Sequence, residues 1–375
     1  MESEISILKK SELAELKLRR LYEQYGYQKY RMNQFEEYAF YIENKNFLGS
    51  DSFITFNDKD GKLMALKPDV TLSMVKNTSA DMTGSKKLYY SENIFRFIKN
   101  AGEYRELNQT GLELIGKVDL LSTAEIVTLA AKSLEIINSS YVLTVSHMGI
   151  ISGLLEEINA DYTVKERIME CISEKNPHDL RKLGESAGIS GEIIERIEKL
   201  ISINCPLNAA SDALDSVVCN FTTFEAVKEI KAISEVMAGS KYADRIRIDF
   251  SSVSDMQYYN GILFSGYIEG VASAVVVGGR YDNLLRRMNK GNLQAIGFAV
   301  NFYELDRFLK EKSNMSGNGT VAIKYSEKAD LKKVYEIIEK YIAEGKKVIF
   351  ENDISAYAEY EKFIEIDENG EVSVK

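Results

Sequence analysis

Tryptophan is absent from this chain, and its 375 residues include only three prolines, three cysteines and two histidines. Each scarcity removes a class of explanation. Cys171, Cys205 and Cys219 lie far apart and form no C-x-x-C pair, so the sequence holds no disulfide framework and no zinc knuckle. As isolated thiols they suit inert positions in a reducing compartment. With only His147 and His178 to add, no metal and no cofactor is expected. No apolar run approaches the roughly 20 residues needed to cross a bilayer, and the start MESEISILKKSE lacks a basic segment followed by an apolar one. A cytoplasmic chain with no membrane partner is the expectation. A basic excess is also missing: 47 Lys and Arg stand against 57 Asp and Glu, a net charge of −10. Phosphate contacts dominate nucleic-acid affinity, so this balance argues against a tRNA partner.

What is present is enough apolar content, 45%, for a sizeable core. The chain reads as a large domain over residues 1–312, with a helical insertion at about 151–240, and a small module over 313–375. Ser313 to Asn318 is the linker. The tail from Thr320 reads as strand, a helix from about Ala329 to Glu344, a strand at Lys346–Phe350 and a terminal hairpin turning at Asn369-Gly370. It contains no arginine, and its acids outnumber its lysines. That balance again disfavours RNA.

The stretch from Arg245 to Leu285 alternates as strands do, breaks over Ser251 to Gln257 and turns near Glu269-Gly270, which predicts a meander of three strands. The last run leads into Gly278-Gly279-Arg280-Tyr281-Asp282, where two glycines permit close approach of a neighbour or ligand. Upstream, Ser11 is placed to cap a helix whose stripe is Ala14, Leu18, Leu21, Tyr22 and Tyr25, ended by Gly26. Asn57 to Gly61 marks a hairpin. Pro68 keeps Lys67 extended before a short helix, with Asp69 in its first turn. On residues alone Asp69 serves the helix end, which favours a negative charge. Residues 87–116 read as strand, loop and strand, with Arg105, Gln109, Gly111 and Glu113 on one face of the second strand and Leu112 and Leu114 on the other. Ser122 and Glu125 form an S-x-x-E box opening a helix through Ile137, and Tyr141 to Ser146 is a strand. Helices then break near Asn176-Pro177, Gly188 to Gly191 and Asn204 to Asn208, with His178 in a loop beside a helix start.

Five pieces together carry a resemblance: LKPDVT, FR followed by LNQTGLELIG, YYNGILFSGY, GGRYDNLL and GFAVNFYEL. They resemble the signatures of the class II histidyl-tRNA synthetase family over about residues 10–310. The resemblance implies an α+β fold: an antiparallel sheet flanked by helices, with a helical insertion and a small α/β C-terminal module. It implies a histidine pocket of Asp69, Arg96, Gln109, Glu113 and Tyr258 or Tyr259, with Asp69 on the α-ammonium. His147, in SHMGI, matches a turn of the family and is expected to be structural.

Three departures bear on activity. Ser254 stands where the family has its substrate-binding arginine, Ile98 where a glutamate helps seat ATP, and Glu304 where an arginine meets the triphosphate. Charge-assisted contacts are worth about 1.5–3 kcal/mol each and act together in a transition state. Adenylate chemistry is therefore expected to be lost, with no catalytic residue retained. The fold also serves the regulatory subunits of ATP phosphoribosyltransferase, and this chain resembles that branch. The likeness implies a subunit without activity of its own in the first step of histidine biosynthesis. Such a subunit would pair with itself as a dimer and with the short-form catalytic subunit as a hetero-octamer, activating it and carrying histidine inhibition. A diverged active synthetase, an amino-acid sensor with another partner and a ligase for another carboxylate stay open on the residues alone.

Overall fold

The computed structural model describes all residues except 1–7, 49–51, 99–100, 253–257, 304, 306–318, 355–359, 370 and 375. Its contacts group residues 11–306 into one compact unit and residues 1–10 with 307–375 into another. The expected division at 312/313, and the linker Ser313 to Asn318, fall outside the described residues.

In the larger unit, helix α1 (Lys10–Gln24) buries Ala14, Leu18 and Tyr22, and Gly26 follows it at φ +83°. Ser11 lies inside this helix instead of capping it. Then come β1 (Gln28–Lys29), β2 (Phe35–Glu37), α2 (Tyr38–Glu43), β3 (Thr55–Asn57), β4 (Leu63–Leu66) and α3 (Thr71–Lys76). The long pair β5 (Lys86–Ile98) and β6 (Glu103–Gly116) leads into α4 (Leu120–Ile137) and β7 (Tyr141–His147). The helical insertion follows as α5 (Met148–Glu156), α6 (Tyr162–Ser173), α7 (Pro177–Ala187) and α8 (Gly191–Ser202), then β8 (Asn204–Pro206), α9 (Ser211–Asp215) and α10 (Phe221–Met237). The unit closes with β9 (Ile246–Asp249), β10 (Ile262–Ile268), β11 (Val276–Arg280), α11 (Asp282–Arg287) and β12 (Gln294–Asn301).

Nine strands form one sheet in the order β1-β5-β6-β12-β11-β10-β7-β9-β8. Pairing is antiparallel except for β1 with β5 and β7 with β9, so the sheet is mixed. β2, β4 and β3 form a separate small sheet. The expected meander is half right. β10 and β11 are a hairpin turning at Gly270, φ +87°, but β9 does not join them. β7 lies between, pairing with β10 along Tyr141 to His147 and with β9 on its other side. Alternation reveals that a segment is a strand; it does not reveal the neighbour. β8, which read as a break, pairs with β9 at the sheet edge.

One face of the sheet is apolar, with Leu112 and Leu114 of β6 and Phe298 of β12 buried there together with Tyr22 of α1. Tyr22 reaches Ser133 of α4 with its hydroxyl, 3.0 Å away. The opposite face carries a second apolar cluster, built from Leu72, Met74 and Val75 of α3, Tyr90 and Ile94 of β5, and Leu284 and Leu285 of α11. Residues that sit directly across neighbouring strands share a face. Glu113 faces Leu88 on one side and Gly297 on the other, so the buried glutamate is set in the middle of this second face.

Helix α4 is capped by Asp119, not by Ser122. The Asp119 carboxylate accepts from the Ser122 N–H at 2.9 Å and the Ser122 hydroxyl at 2.7 Å. Glu125 turns away to Lys87, 2.8 Å, and Tyr27, 3.1 Å. An aspartate three residues upstream won because the helix begins one turn earlier than the S-x-x-E pattern suggested. In the insertion Asp161, Asn176 and Asn220 cap α6, α7 and α10. His178 stands in the first turn of α7, behind Pro177, instead of in a loop. His147 caps α5, its Nδ1 accepting from the Gly149 N–H at 3.0 Å, while its Nε2 lies 3.3 Å from Glu229 of α10.

The smaller unit holds β13 (Thr320–Tyr325), α12 (Leu331–Ala343), β14 (Lys347–Glu351), β15 (Lys362–Ile366) and β16 (Val372–Val374). The strand order is β14-β13-β15-β16, with β13 parallel to both neighbours, around a core that includes Val321, Ile323, Val334 and Ile364. Gly370 of the expected final turn is outside the described residues. No helix among the described residues is long and apolar enough to cross a membrane.

The capping assignment has a direct check. Asp119→Ala is expected to cost about 1 kcal/mol in urea unfolding, the usual loss for an N-cap, and Ser122→Ala clearly less. The reverse order would return the cap to Ser122.

Candidate functional site

Above the second face of the sheet lies a cleft of about 360 Å3. Asp69, Arg96, Gln109, Glu113, Tyr258 and Tyr259 all line it, brought together from four separate stretches of chain. Phe47, Thr71, Tyr90, Tyr281, Gly297 and Asn301 complete much of the wall. No lysine, histidine or cysteine lines the cleft among the described residues.

Glu113 is the deepest charged group, 3% exposed. Thr71 donates to one carboxyl oxygen at 2.7 Å and Tyr281 to the other at 2.6 Å. Burial pushes its pKa up to about 8, the two hydroxyls pull it back, and Asp69 raises it further. Room for the carboxyl comes from the next strand. A Cβ on Gly297 would sit 1.7 Å from Glu113 Oε2, so the acid lies flat over a backbone that has no side chain.

Asp69 stands at the start of α3 and in the cleft wall. One oxygen accepts from the Leu72 N–H at 2.8 Å, while the other is 3.4 Å from the Arg96 guanidinium and faces the cleft. Burial raises its pKa and Arg96 opposes that rise. Arg96 is itself positioned by the Pro68 carbonyl, 2.7 Å from Nε. Gln109 donates to Asn301 at 2.6 Å. The rings of Tyr258 and Tyr259 stand 4.5 Å apart, and Tyr258 also packs on Phe47 and Tyr281. Tyr259 lies over Gly279, where a Cβ would be 2.8 Å from the ring. The glycine pair of GGRYD thus serves close approach within the protein: a Cβ on Gly278 would meet the Gly297 carbonyl at 2.4 Å.

Several wall residues escaped the sequence reading. Thr71 and Tyr281 belong to motifs that were singled out, LKPDVT and GGRYD, but nothing in either motif says that both hydroxyls turn to Glu113. Gly297 opens GFAVNFYEL and Tyr90 lies in the first strand of the 87–116 pair, but their roles depend on strand pairing, which neither stretch shows. Beside Gln109 on the same face is Glu92, whose carboxylate takes the buried Lys67 ammonium at 2.5 Å. That ion pair was also unforeseen. Asp282 of GGRYD is a structural clamp, accepting from Arg280 at 2.9 Å and from the Ala295 N–H at 2.9 Å. Ser254 and Glu304 lie outside the described residues; Ile98 ends β5, opposite Glu103.

Chemically, the cleft offers two carboxyl groups, one guanidinium and a set of aromatic rings with hydroxyls. That combination suits a small ligand with an amine and a flat polar ring. Among the described residues no group of three or more His, Cys, Asp or Glu side chains is arranged to hold a metal. His147 sits elsewhere, engaged as a helix cap.

The raised Glu113 pKa has a stability consequence. Between the ordinary value of 4.5 and about 8, the unfolded chain ionises while the buried carboxyl keeps its proton. Glu113 therefore contributes stability below that window and loses it as pH rises through it, by about 1.4 kcal/mol per pH unit. Glu113→Gln is expected to gain steadily on the wild type in melting temperature from about pH 5 to about pH 8, and to level off beyond. A difference independent of pH would mean the group titrates normally.

Comparison with known proteins follows the same lines. The family model for histidyl-tRNA synthetase matches residues 6–305. An ATP phosphoribosyltransferase regulatory subunit of Clostridium kluyveri is 27% identical, covering 85% of this chain and 83% of that protein. A histidine–tRNA ligase of Methanocaldococcus jannaschii is 29% identical over 79% of this chain and 71% of its own length. Among solved structures, an ATP phosphoribosyltransferase regulatory subunit/histidyl-tRNA synthetase from Bacillus halodurans superposes with a TM-score of 0.77 at 22% identity, covering 96% of this chain and 94% of that one. The ATP phosphoribosyl transferase (HisG:HisZ) complex from Thermotoga maritima gives 0.60 at 16% identity, over 77% of this chain and 96% of that one. These likenesses show the class II synthetase-like fold. With four-fifths of its length matched by one family model, the chain belongs to the histidyl-tRNA synthetase family.

Proposed function

We propose that this chain is a non-catalytic regulatory subunit of an ATP phosphoribosyltransferase. It joins a short-form catalytic subunit in the cytoplasm, raises its activity in the first step of histidine biosynthesis and transmits inhibition by histidine. The observation that carries this reading is the match, over most of both chains, to a relative bearing that name. The Thermotoga maritima complex supports a catalytic partner. Self-association as a dimer and assembly as a hetero-octamer complete the proposal.

The cleft is assigned to histidine. Asp69 takes the α-ammonium, with Arg96 beside it. Gln109 and Glu113 meet the polar edges of the ligand, and Tyr258 and Tyr259 pack on its ring. Ser254, Ile98 and Glu304 replace the cation, carboxylate and cation that adenylate formation uses in the synthetases, which supports binding without reaction. Regulation of this kind requires histidine to bind the active and inhibited assemblies with different affinity. The second reading, a diverged histidyl-tRNA synthetase, is favoured by the Methanocaldococcus jannaschii ligase at 29% identity.

The deciding measurement is phosphoribosyl-ATP formation by a short-form catalytic subunit, with and without this protein, across a histidine titration. Stimulation that histidine reverses is expected. Histidine-dependent exchange between ATP and pyrophosphate, without stimulation, would instead establish the synthetase reading. In the assembled complex, Glu113→Ala is expected to raise the histidine needed for half-inhibition about tenfold, the loss of a buried hydrogen bond. Unchanged inhibition in that variant places the effector at another site.

A further inference from the structure

The smaller unit leaves one edge of its sheet and one flank of its helix uncovered, and the two adjoin. β14 is the outermost strand, paired only with β13. An edge strand presents unpaired backbone N–H and C=O groups, a template for a further strand. Neither proline nor glycine interrupts β14, its interior is Val348-Ile349-Phe350, and Phe350 is 48% exposed. Helix α12 packs on β13 and β14. Tyr341 marks the flank of α12 turned toward β15, since its hydroxyl accepts from Lys362 at 2.8 Å. Leu331, Tyr335 and Ile342 share a stripe about 100° round the helix from Tyr341, on the flank turned toward β14. They are 65%, 63% and 50% exposed.

The occupant that fits this surface follows from the strand itself. Residues directly opposite one another in a sheet share a face. Val348 and Phe350 lie across from Val321 and Ile323 of the core and so face α12, while Lys347, Ile349 and Glu351 face the other way. An antiparallel copy of β14 centred on Ile349 keeps those faces. Lys347 then meets Glu351 of the second copy, Glu351 meets its Lys347, Val348 meets its Phe350, and Ile349 meets itself. Each charge finds the opposite sign and each apolar residue an apolar one, the pairs that stabilise neighbouring strands. A two-fold axis through that point sets both α12 helices on the same side of the joined sheet, antiparallel. With strands about 4.8 Å apart and each helix above the groove between β13 and β14, the helix axes lie about 10 Å apart, within packing distance. The exposed flanks cover one another.

We propose that the small module is an interface with a second copy of this chain, made by β14 pairing antiparallel with itself about Ile349 and closed over by Leu331, Tyr335 and Ile342 of α12. The two sheets become one continuous sheet across the axis. Such a contact uses the same patch on both copies and therefore ends at two. It is made by the module alone, and it does not depend on the assignment of the cleft or on the regulatory reading.

Lys347 and Glu351 are exposed, so the charge at either can be reversed without reshaping the core. The full-length protein would be followed by sedimentation velocity over a concentration series. Lys347→Glu sets carboxylates opposite one another at both ends of the strand pair, and Glu351→Lys sets ammonium groups there. Each is expected to halve the sedimenting mass relative to the wild type, and the double variant, which restores opposite signs, to recover it. Ile349→Cys places one thiol against its copy across the axis. Mild oxidation is expected to link that variant into a covalent dimer and to leave the wild type unlinked, since Cys171, Cys205 and Cys219 all lie in the larger unit. Single reversals that leave the mass unchanged overturn the interface. A double variant that stays dissociated, or an Ile349→Cys protein that forms no linked dimer, overturns it as well.

Discussion

The constraint on which the larger unit turns is the burial of one carboxyl group at the centre of a sheet. Glu113 sits on a middle strand with its side chain on a face otherwise occupied by Leu72, Met74, Ile94 and Leu284. An acid placed there must be neutralised or hydrogen-bonded, because the apolar surroundings penalise the charged form. The protein supplies both remedies. Thr71 comes from the start of one short helix, Tyr281 from the residue before another, and both donate to the same carboxyl. Those two helices are therefore tied to one point on the sheet, and the cleft opens between them.

The same constraint explains the glycines. Strands β11 and β12 carry Gly278, Gly279 and Gly297 at places where any Cβ would strike a carbonyl, a ring or the Glu113 carboxyl. Glycine in a strand interior is normally a weakness. Here it gives up β-propensity so that side chains from the adjacent strand or loop can lie down across the backbone. A floor made this way is flat and lined with polar heads, which suits recognition of a small planar group. It also leaves the pocket rich in acids, with Arg96 as the cation among the described wall residues.

Much of this architecture was legible before any coordinates. The 87–116 strand pair, the alternation placing Gln109 and Glu113 on one face, and the hairpin around Asn57 to Gly61 follow from a two-residue period and turn residues. The failures are equally specific. Ser122 and Glu125 match a capping box, but Asp119, one turn earlier, accepts from the Ser122 N–H and hydroxyl and takes the cap. β9 looked like the first strand of a meander because it precedes β10 in sequence, whereas β7, a hundred residues upstream, fits between them. Residues 204–206 looked like a break and are an edge strand, too short to show a period.

By itself the sequence determined what depends on local periodicity and on residue chemistry: the helices and most strands, the acidic balance, and the residue types at Ser254, Ile98 and Glu304. It also nominated Asp69, Arg96, Gln109, Glu113, Tyr258 and Tyr259. Only the tertiary structure decided that these six line a single cleft, that Thr71 and Tyr281 satisfy one buried acid, and that Tyr90 stands over Gly111. The physical reason is range. Periodicity and capping act over a few residues along the chain, while strand partners and cross-strand glycines are selected by packing between segments a hundred or more residues apart.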